Sequence, residues 1–174
     1  MHNTVTFVKI NDVKLPSIDI LELALELYGD QFSIRISPLV LKKEAFSEER
    51  RQFGAQKILL ALHELKQQSK SKMVVGITDE DIFIGGMNFV FGLASPTSQV
   101  CIVSLYRLLD TQKSELGQIE KTRIVKEIAH EIGHLYGLEH CNRNCVMSFS
   151  NSVLDVDAKA SSLCEKCKNT LSRK

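Results

Sequence analysis

The sequence predicts an α/β (α+β) fold: a mixed, twisted β-sheet, mostly parallel but ending in an antiparallel edge strand, with helices backing it. Three observations predict it. Strand-like and helix-like segments alternate up to Thr78 as they do in βαβ units, and two β-rich runs flank the turn-forming Ser95-Pro96-Thr97-Ser98. A long helical period then occupies Gln118 to Tyr136.

The alternation in Thr4 to Ile10 marks the first strand, and the apolar spacing of Ser17 to Tyr28, followed by Gly29, marks a helix. Phe32 to Ile36 is the second strand. Ser47 is the expected N-cap of a long helix reaching about Gln68, with Phe53, Ile58, Leu59, Leu62 and Leu65 on its apolar face. Met73 to Thr78 returns to strand, and Asn88 to Ala94 with Val100 to Tyr106 forms the hairpin. Asp110 to Gly117 is polar and reads as an exposed loop, and a shorter helix is expected near Asp157.

Composition narrows the function classes. The 174 residues, 44% hydrophobic and 25% charged, suit one globular domain over residues 1–174 and exclude a disordered or fibrous chain. A formal net charge of +1 gives no field that would argue for nucleic acid or a membrane surface as partner. The N-terminus alternates like a strand and has no signal-peptide core, so a cytoplasmic location is expected. No apolar run reaches membrane-spanning length. In a reducing compartment the five cysteines are thiols or metal ligands rather than disulfides. His2 has no identifiable role.

Residues 130 to 140 read His-Glu-Ile-Gly-His-Leu-Tyr-Gly-Leu-Glu-His, the full H-E-x-x-H-x-x-G-x-x-H pattern. At about 100° per residue, His130 and His134 lie about 40° apart on one helix face, one turn apart, where both imidazoles can reach one ion. Glu131 points about a quarter turn away, where its carboxylate can reach a metal-bound water as general base. His140 would lie about 15 Å from His130 if the helix continued, so the helix must stop first. Gly137 supplies the left-handed conformation that ends helices and reverses the chain. Three neutral imidazoles leave a fourth tetrahedral position open for water, which implies hydrolysis. The rival reading, an amphipathic core helix with satisfied histidines, does not explain the glycine and third histidine in register. His63-Glu64 begins the same pattern but has Gln67 where a second histidine would stand, so His63 reads as a surface helix residue.

Cys141, Cys145, Cys164 and Cys167 form two short pairs that match a closed, structural tetrahedral zinc site. The rival is redox chemistry at Cys164 and Cys167, but thioredoxin-type motifs follow a strand in a βαβ unit, whereas this pair lies in the C-terminal tail. Cys101, inside an apolar run, reads as a buried small hydrophobe. Because Cys141 follows His140 directly, closing the cysteine site would fix the chain that delivers the third catalytic ligand. Cys141→Ser should then weaken catalytic metal affinity as well as stability.

The histidine motif, Cys141 immediately after it, Cys145-Val146-Met147 downstream and the closing Cys164–Cys167 pair together resemble the archaemetzincin family of the metzincin clan. The family pattern has one more residue between the first two cysteines, and one more between the methionine and the third cysteine; both gaps are loops. The resemblance implies a metzincin-like fold with a small zinc-bound C-terminal subdomain (138–174) after an N-terminal subdomain (1–137) that carries the sheet and active-site helix. It also implies that Met147 is the Met-turn methionine, a hydrophobic floor beneath the histidines, whereas the residue alone would read as a core gap-filler. Phe149 stands where some metzincins place a tyrosine, so no tyrosine is assigned to transition-state stabilisation. The clan also implies that an antiparallel edge strand, best matched by Asn88 to Ala94, borders the cleft; it would either pair with the substrate backbone or serve as an ordinary edge strand. Replacing Val90 with proline should then raise KM far more than it perturbs folding.

The expected function is therefore a zinc metallopeptidase with two Zn2+ per chain, one catalytic and one structural, acting on a peptide or protein substrate. Glu131 takes the proton of the attacking water and passes it to the leaving amine. The alternative is a zinc-containing peptide-binding module without efficient cleavage. Nucleic-acid binding through the tail of Lys166, Lys168, Arg173 and Lys174 is not expected, since these few charges are interspersed with Glu165. No membrane partner is expected, and the small size favours a monomer.

Overall fold

The alternating N-terminal segment forms β1 (Asn3–Ile10), followed by α1 (Ile18–Glu26) and β2 (Phe32–Leu39), in a computed structural model that describes residues 3–29, 32–110 and 115–173. Residues 111–114 of the expected polar loop, His2 and Lys174 lie outside the described residues. β2 runs three residues past the expected Ile36 and includes Pro38, which an edge strand tolerates because one side of its backbone has no ladder partner.

The chain then turns through a 3₁₀ segment (Lys43–Ala45) into β3 (Phe46–Ser47), β4 (Gln52–Gly54) and α2 (Ala55–Gln68). The expected helix start at Ser47 is thus wrong. Residues 46–54 form a small antiparallel hairpin, in which Phe53 packs edge-on against Phe46 with ring centroids 5.0 Å apart and does not join the helix face. Residues 48–51 make the hairpin turn, with Arg51 at φ 54°. β5 (Met73–Thr78), β6 (Ile82–Phe83), β7 (Gly92–Ser95) and β8 (Val100–Ser104) follow.

The main sheet has the order β2-β1-β5-β8-β7, with the first four strands parallel and β7 antiparallel at the edge. The expected mixed sheet with an antiparallel edge is what forms. The crossovers β1 to β2 and β2 to β5 run in opposite directions across the sheet, so two connections of the same hand put α1 and α2 on opposite faces. Side chains alternate accordingly. Phe7, Met73, Val75, Cys101 and Val103 join α1 and α3 in one core, while Val8, Val74, Val100 and Ile102 join Ile58 and Leu62 of α2 in the other. Cys101 is fully buried, as its apolar setting predicts.

The edge strand is shorter than Asn88 to Ala94. Residues 88–90 leave the edge: Val90 donates its N–H to Ile82 O at 3.0 Å, while Phe91 O still accepts from Ser104 N at 2.8 Å in register with the Gly92–Val103 pair. Val90 is therefore a structural bond donor, and proline there would cost folding as well as any substrate pairing.

α3 (Gln118–Leu135) lies over the sheet, packing Ile124, Ile128 and Ile132 into the first core. α4 (Val153–Ala158) starts four residues before Asp157 because Ser152 caps it, accepting from Asp155 N at 3.3 Å. α5 (Glu165–Leu171), which begins inside the last cysteine pair, is not foreseen from the sequence pattern. Among the described residues no helix is long and apolar enough to cross a membrane.

Candidate metal centre

Helix α3 carries His130 and His134 on the face opposite its isoleucines and brings them to the floor of a cleft of about 270 Å³. Gly137, at φ 74°, ends the helix. Gly137 N bonds to His134 O at 2.8 Å and Leu138 N to Gly133 O at 2.9 Å, the two crossed bonds of a Schellman motif. The reversal returns His140 to the other two histidines. The three ring centroids lie 4.7, 4.9 and 5.3 Å apart, and one nitrogen from each ring falls within 4.8 Å of the others.

Hydrogen bonding sets the tautomers of the first two rings. His130 Nδ1 faces Val146 O at 2.9 Å and His134 Nδ1 faces Leu138 O at 2.8 Å; a carbonyl can only accept, so each Nδ1 carries the proton. Both Nε2 atoms are then bare lone pairs, and they face each other at 3.1 Å. Two acceptors at that distance repel unless a cation lies between them. Burial pushes His130 down to about 2, with the Lys159 charge as a lesser cause, and desolvation also lowers His134 and His140, so all three rings are neutral at neutral pH. The donor set fits zinc.

Glu131 lines the same cleft beside the histidines and is buried. Its carboxylate lies against the edge strand: a Cβ at Gly92 would stand 2.6 Å from Glu131 Oε1, so glycine is the residue that leaves it room. Burial raises the Glu131 carboxyl well above its usual range, Glu127 adds to the rise, and Lys159 opposes it.

Below the helix, a Cβ at Gly133 would fall on Met147 Sδ, so Met147 packs directly under the turn between His130 and His134. Met147 is fully buried, and its carbonyl accepts from Cys141 N at 2.9 Å. Phe149 borders the cleft with its ring centroid 5.2 Å from that of His140. The remaining walls are mostly apolar, including Phe89, Phe91, Leu93 and Pro96, with Glu127, Ser150 and Asn151 as polar members.

Cys141, Cys145, Cys164 and Cys167 form the second cluster, with all four sulfurs within 4.8 Å of one another. Cys141 and Cys164 are 3.7 Å apart, far beyond a disulfide, and the thiols are free. Cys145 Sγ accepts the backbone N–H of Cys164 at 3.3 Å, and the backbone of Cys167 lowers the Cys164 thiol to about 7, whereas burial raises Cys145 and Cys167. Two other residues fall as expected or nearly so. His63 is half-buried on α2 and pairs with Gln67, the residue in place of a second histidine, at 2.8 Å. Lys168 pairs with Glu165 on α5 at 3.0 Å. Sequence reasoning missed Tyr28, which stacks on Tyr136 and donates to Ala129 O at 2.5 Å, bracing the residue before His130. It missed Lys159 and Glu127 as well, since neither carries a motif.

A neutral three-histidine cluster, a buried carboxylate one residue along the helix and a separate four-thiol cluster define a zinc metallopeptidase on a metzincin-like α/β scaffold. The sequence model of peptidase family M54 matches residues 9–173. The archaemetzincin of Pyrococcus abyssi is 43% identical over 134 residues, covering 75% of this chain and 71% of that protein. The crystal structure of archaemetzincin from Methanopyrus kandleri superposes with a TM-score of 0.87 at 35% identity, covering 99% of this chain and 94% of that one. The archaemetzincin of Archaeoglobus fulgidus, solved in complex with malonate, gives a TM-score of 0.75 at 30% identity, covering 95% and 98%. The chain belongs to peptidase family M54, the archaemetzincins.

Proposed function

We propose that His130, His134 and His140 hold the catalytic zinc, that Cys141, Cys145, Cys164 and Cys167 hold the structural zinc, and that Glu131 is the general base. The single observation that carries this reading is the pair of bare Nε2 atoms facing each other at 3.1 Å with both Nδ1 protons committed to carbonyls. When bound, the catalytic zinc supplies a Lewis acid that activates water and polarises the scissile carbonyl. Glu131 receives the proton of the attacking water on its carboxylate and delivers it to the departing amide nitrogen as the C–N bond breaks. Met147 floors the site, and Gly137 ends α3 so that His140 can return.

The substrate backbone pairs with the outer edge of β7, whose Leu93 and Ala94 line the cleft, and an apolar side chain fills the space between Phe89, Phe91 and Pro96. The chain acts as one domain, with residues 1–137 supplying the sheet and active-site helix and 138–174 the third histidine, the Met147 turn and the thiols. Thiols that are not paired in disulfides suit a cytoplasmic location, the small size favours a monomer, and the near-neutral net charge of +1 gives no reason for a nucleic-acid or membrane partner beside the peptide or protein substrate. Glu131→Gln tests the mechanism: two zincs per chain should remain while peptide turnover is lost, and substantial turnover in the metal-loaded variant would reject Glu131 as base.

A further inference from the structure

Two charged side chains lie buried beside the cleft, and the reaction proposed above uses neither. Glu127 sits one helical turn before Glu131 on α3 and lines the cleft with it. Lys159, just after α4, reaches back so that its Nζ lies 2.6 Å from Glu127 Oε1, with side-chain exposures of 3% and 4%. The same Nζ approaches Ser148 O at 3.4 Å, the carbonyl next after Met147.

Stability is a poor reason for this pair. Desolvating two ions costs several kcal/mol each, and apolar side chains of similar volume often replace a buried pair without loss. Nor is it needed to fasten α4 to α3. Lys126 Nζ already donates to Val156 O and Asp157 O at 2.9 and 3.0 Å, and Arg123 grips the Asp157 carboxylate through two nitrogens, each at 2.7 Å. What sets the Glu127–Lys159 pair apart is where it lies. It joins the helix face that carries His130, Glu131 and His134 to the turn that carries Met147.

We propose that Glu127 and Lys159 are positioning residues for Glu131: their ion pair fixes the rotation of α3 over the Met147 turn and hence where the Glu131 carboxylate stands. The histidines would not depend on this ion pair in the same way, because a metal ion bound by all three would hold them to one another. Glu131 is no ligand, so its place is set by the rotation of α3 and by the β7 backbone at Gly92 against which its carboxylate lies. Misplacing a reacting group by about 1 Å costs on the order of 10²-fold in rate, so a small rotation of α3 matters to Glu131 while leaving metal content intact.

The inference rests on the reading of Glu131 as base, and the test separates the two. The zinc-loaded double variant Glu127→Met/Lys159→Met keeps an apolar contact of similar volume. It should retain two zincs and a melting temperature close to wild type, hold KM within about twofold, and lose kcat by about tenfold or more. Wild-type kcat in that variant overturns the inference. If Glu131→Gln remains active, the reading of the base fails instead; if Glu131→Gln is inactive and the double variant is not impaired, only the inference fails. Should the double variant not accumulate, Lys159→Arg serves, since it keeps the charge but changes its reach. Its kcat should fall by about threefold or more with zinc content and KM held, and unchanged kcat again overturns the inference.

Discussion

The carbonyl oxygen of Val146 accepts a hydrogen bond from His130 Nδ1 at 2.9 Å, and Val146 stands between Cys145 and Met147 in the chain. The four-thiol cluster therefore reaches both ends of the histidine site: through Cys145 to the carbonyl that orients His130, and through Cys141 to the residue after His140. Cys141→Ser and Cys145→Ser should each lower affinity for the catalytic zinc by about 10- to 100-fold, the usual effect of losing support behind a ligand. Chelator competition on the catalytic metal measures it. Equal affinities in wild type and both variants would mean that the two sites are independent.

Gly92 gives a sharper test of the cleft. A methyl group there would sit 2.6 Å from Glu131 Cγ and Oε1, so Gly92→Ala must push the carboxylate aside. The expected result is a loss of kcat of about 10²-fold with both zincs retained. Full activity in this variant would show that Glu131 does not work from the position described.

Gly137 holds φ at 74°, which an L-residue adopts only with strain. Gly137→Ala should destabilise the zinc-loaded protein by about 1 kcal/mol. For a chain of this size that corresponds to a melting temperature about 2–4 °C lower. Weaker binding of the catalytic zinc should accompany it, because His140 depends on the reversal. A melting temperature and zinc affinity equal to wild type would contradict the role of the helix end.

Much of the site is legible in the amino-acid sequence because its spacing obeys helix geometry. His130, His134 and the stop at Gly137 follow from 3.6 residues per turn and from the one residue type that reverses the chain without strain. The mostly parallel sheet is legible because strands and helices alternate up to Thr78 as in βαβ units, and β1, β2 and β5 do run parallel. The hairpin at 46–54 is not, since Phe53 stands just before α2 and reads as part of its apolar face, while its ring packs on Phe46. Residues 88–90 read as strand from the apolar Phe89 and Val90, yet Val90 bonds to Ile82 O and so leaves the edge ladder, which reaches only as far back as the Phe91–Ser104 bond. Tyr28, Glu127 and Lys159 leave no mark in local patterns, because each acts across the fold on a segment distant in sequence.

Tyr28 shows what such a residue contributes. Tyr28→Phe keeps the stack on Tyr136 but removes the bond to Ala129 O, and should lower stability by about 0.5–1.5 kcal/mol in a denaturant titration. No loss at all would show that the hydroxyl is not a brace for α3.

The central claim is that one histidine cluster holds a catalytic zinc and one thiol cluster holds another that is structural. Zinc per chain should be counted in wild type and His130→Ala while both are assayed against a degenerate fluorogenic peptide library. Two zincs falling to one, with cleavage lost, is the predicted result; two zincs retained in His130→Ala, or cleavage that survives the substitution, would contradict it.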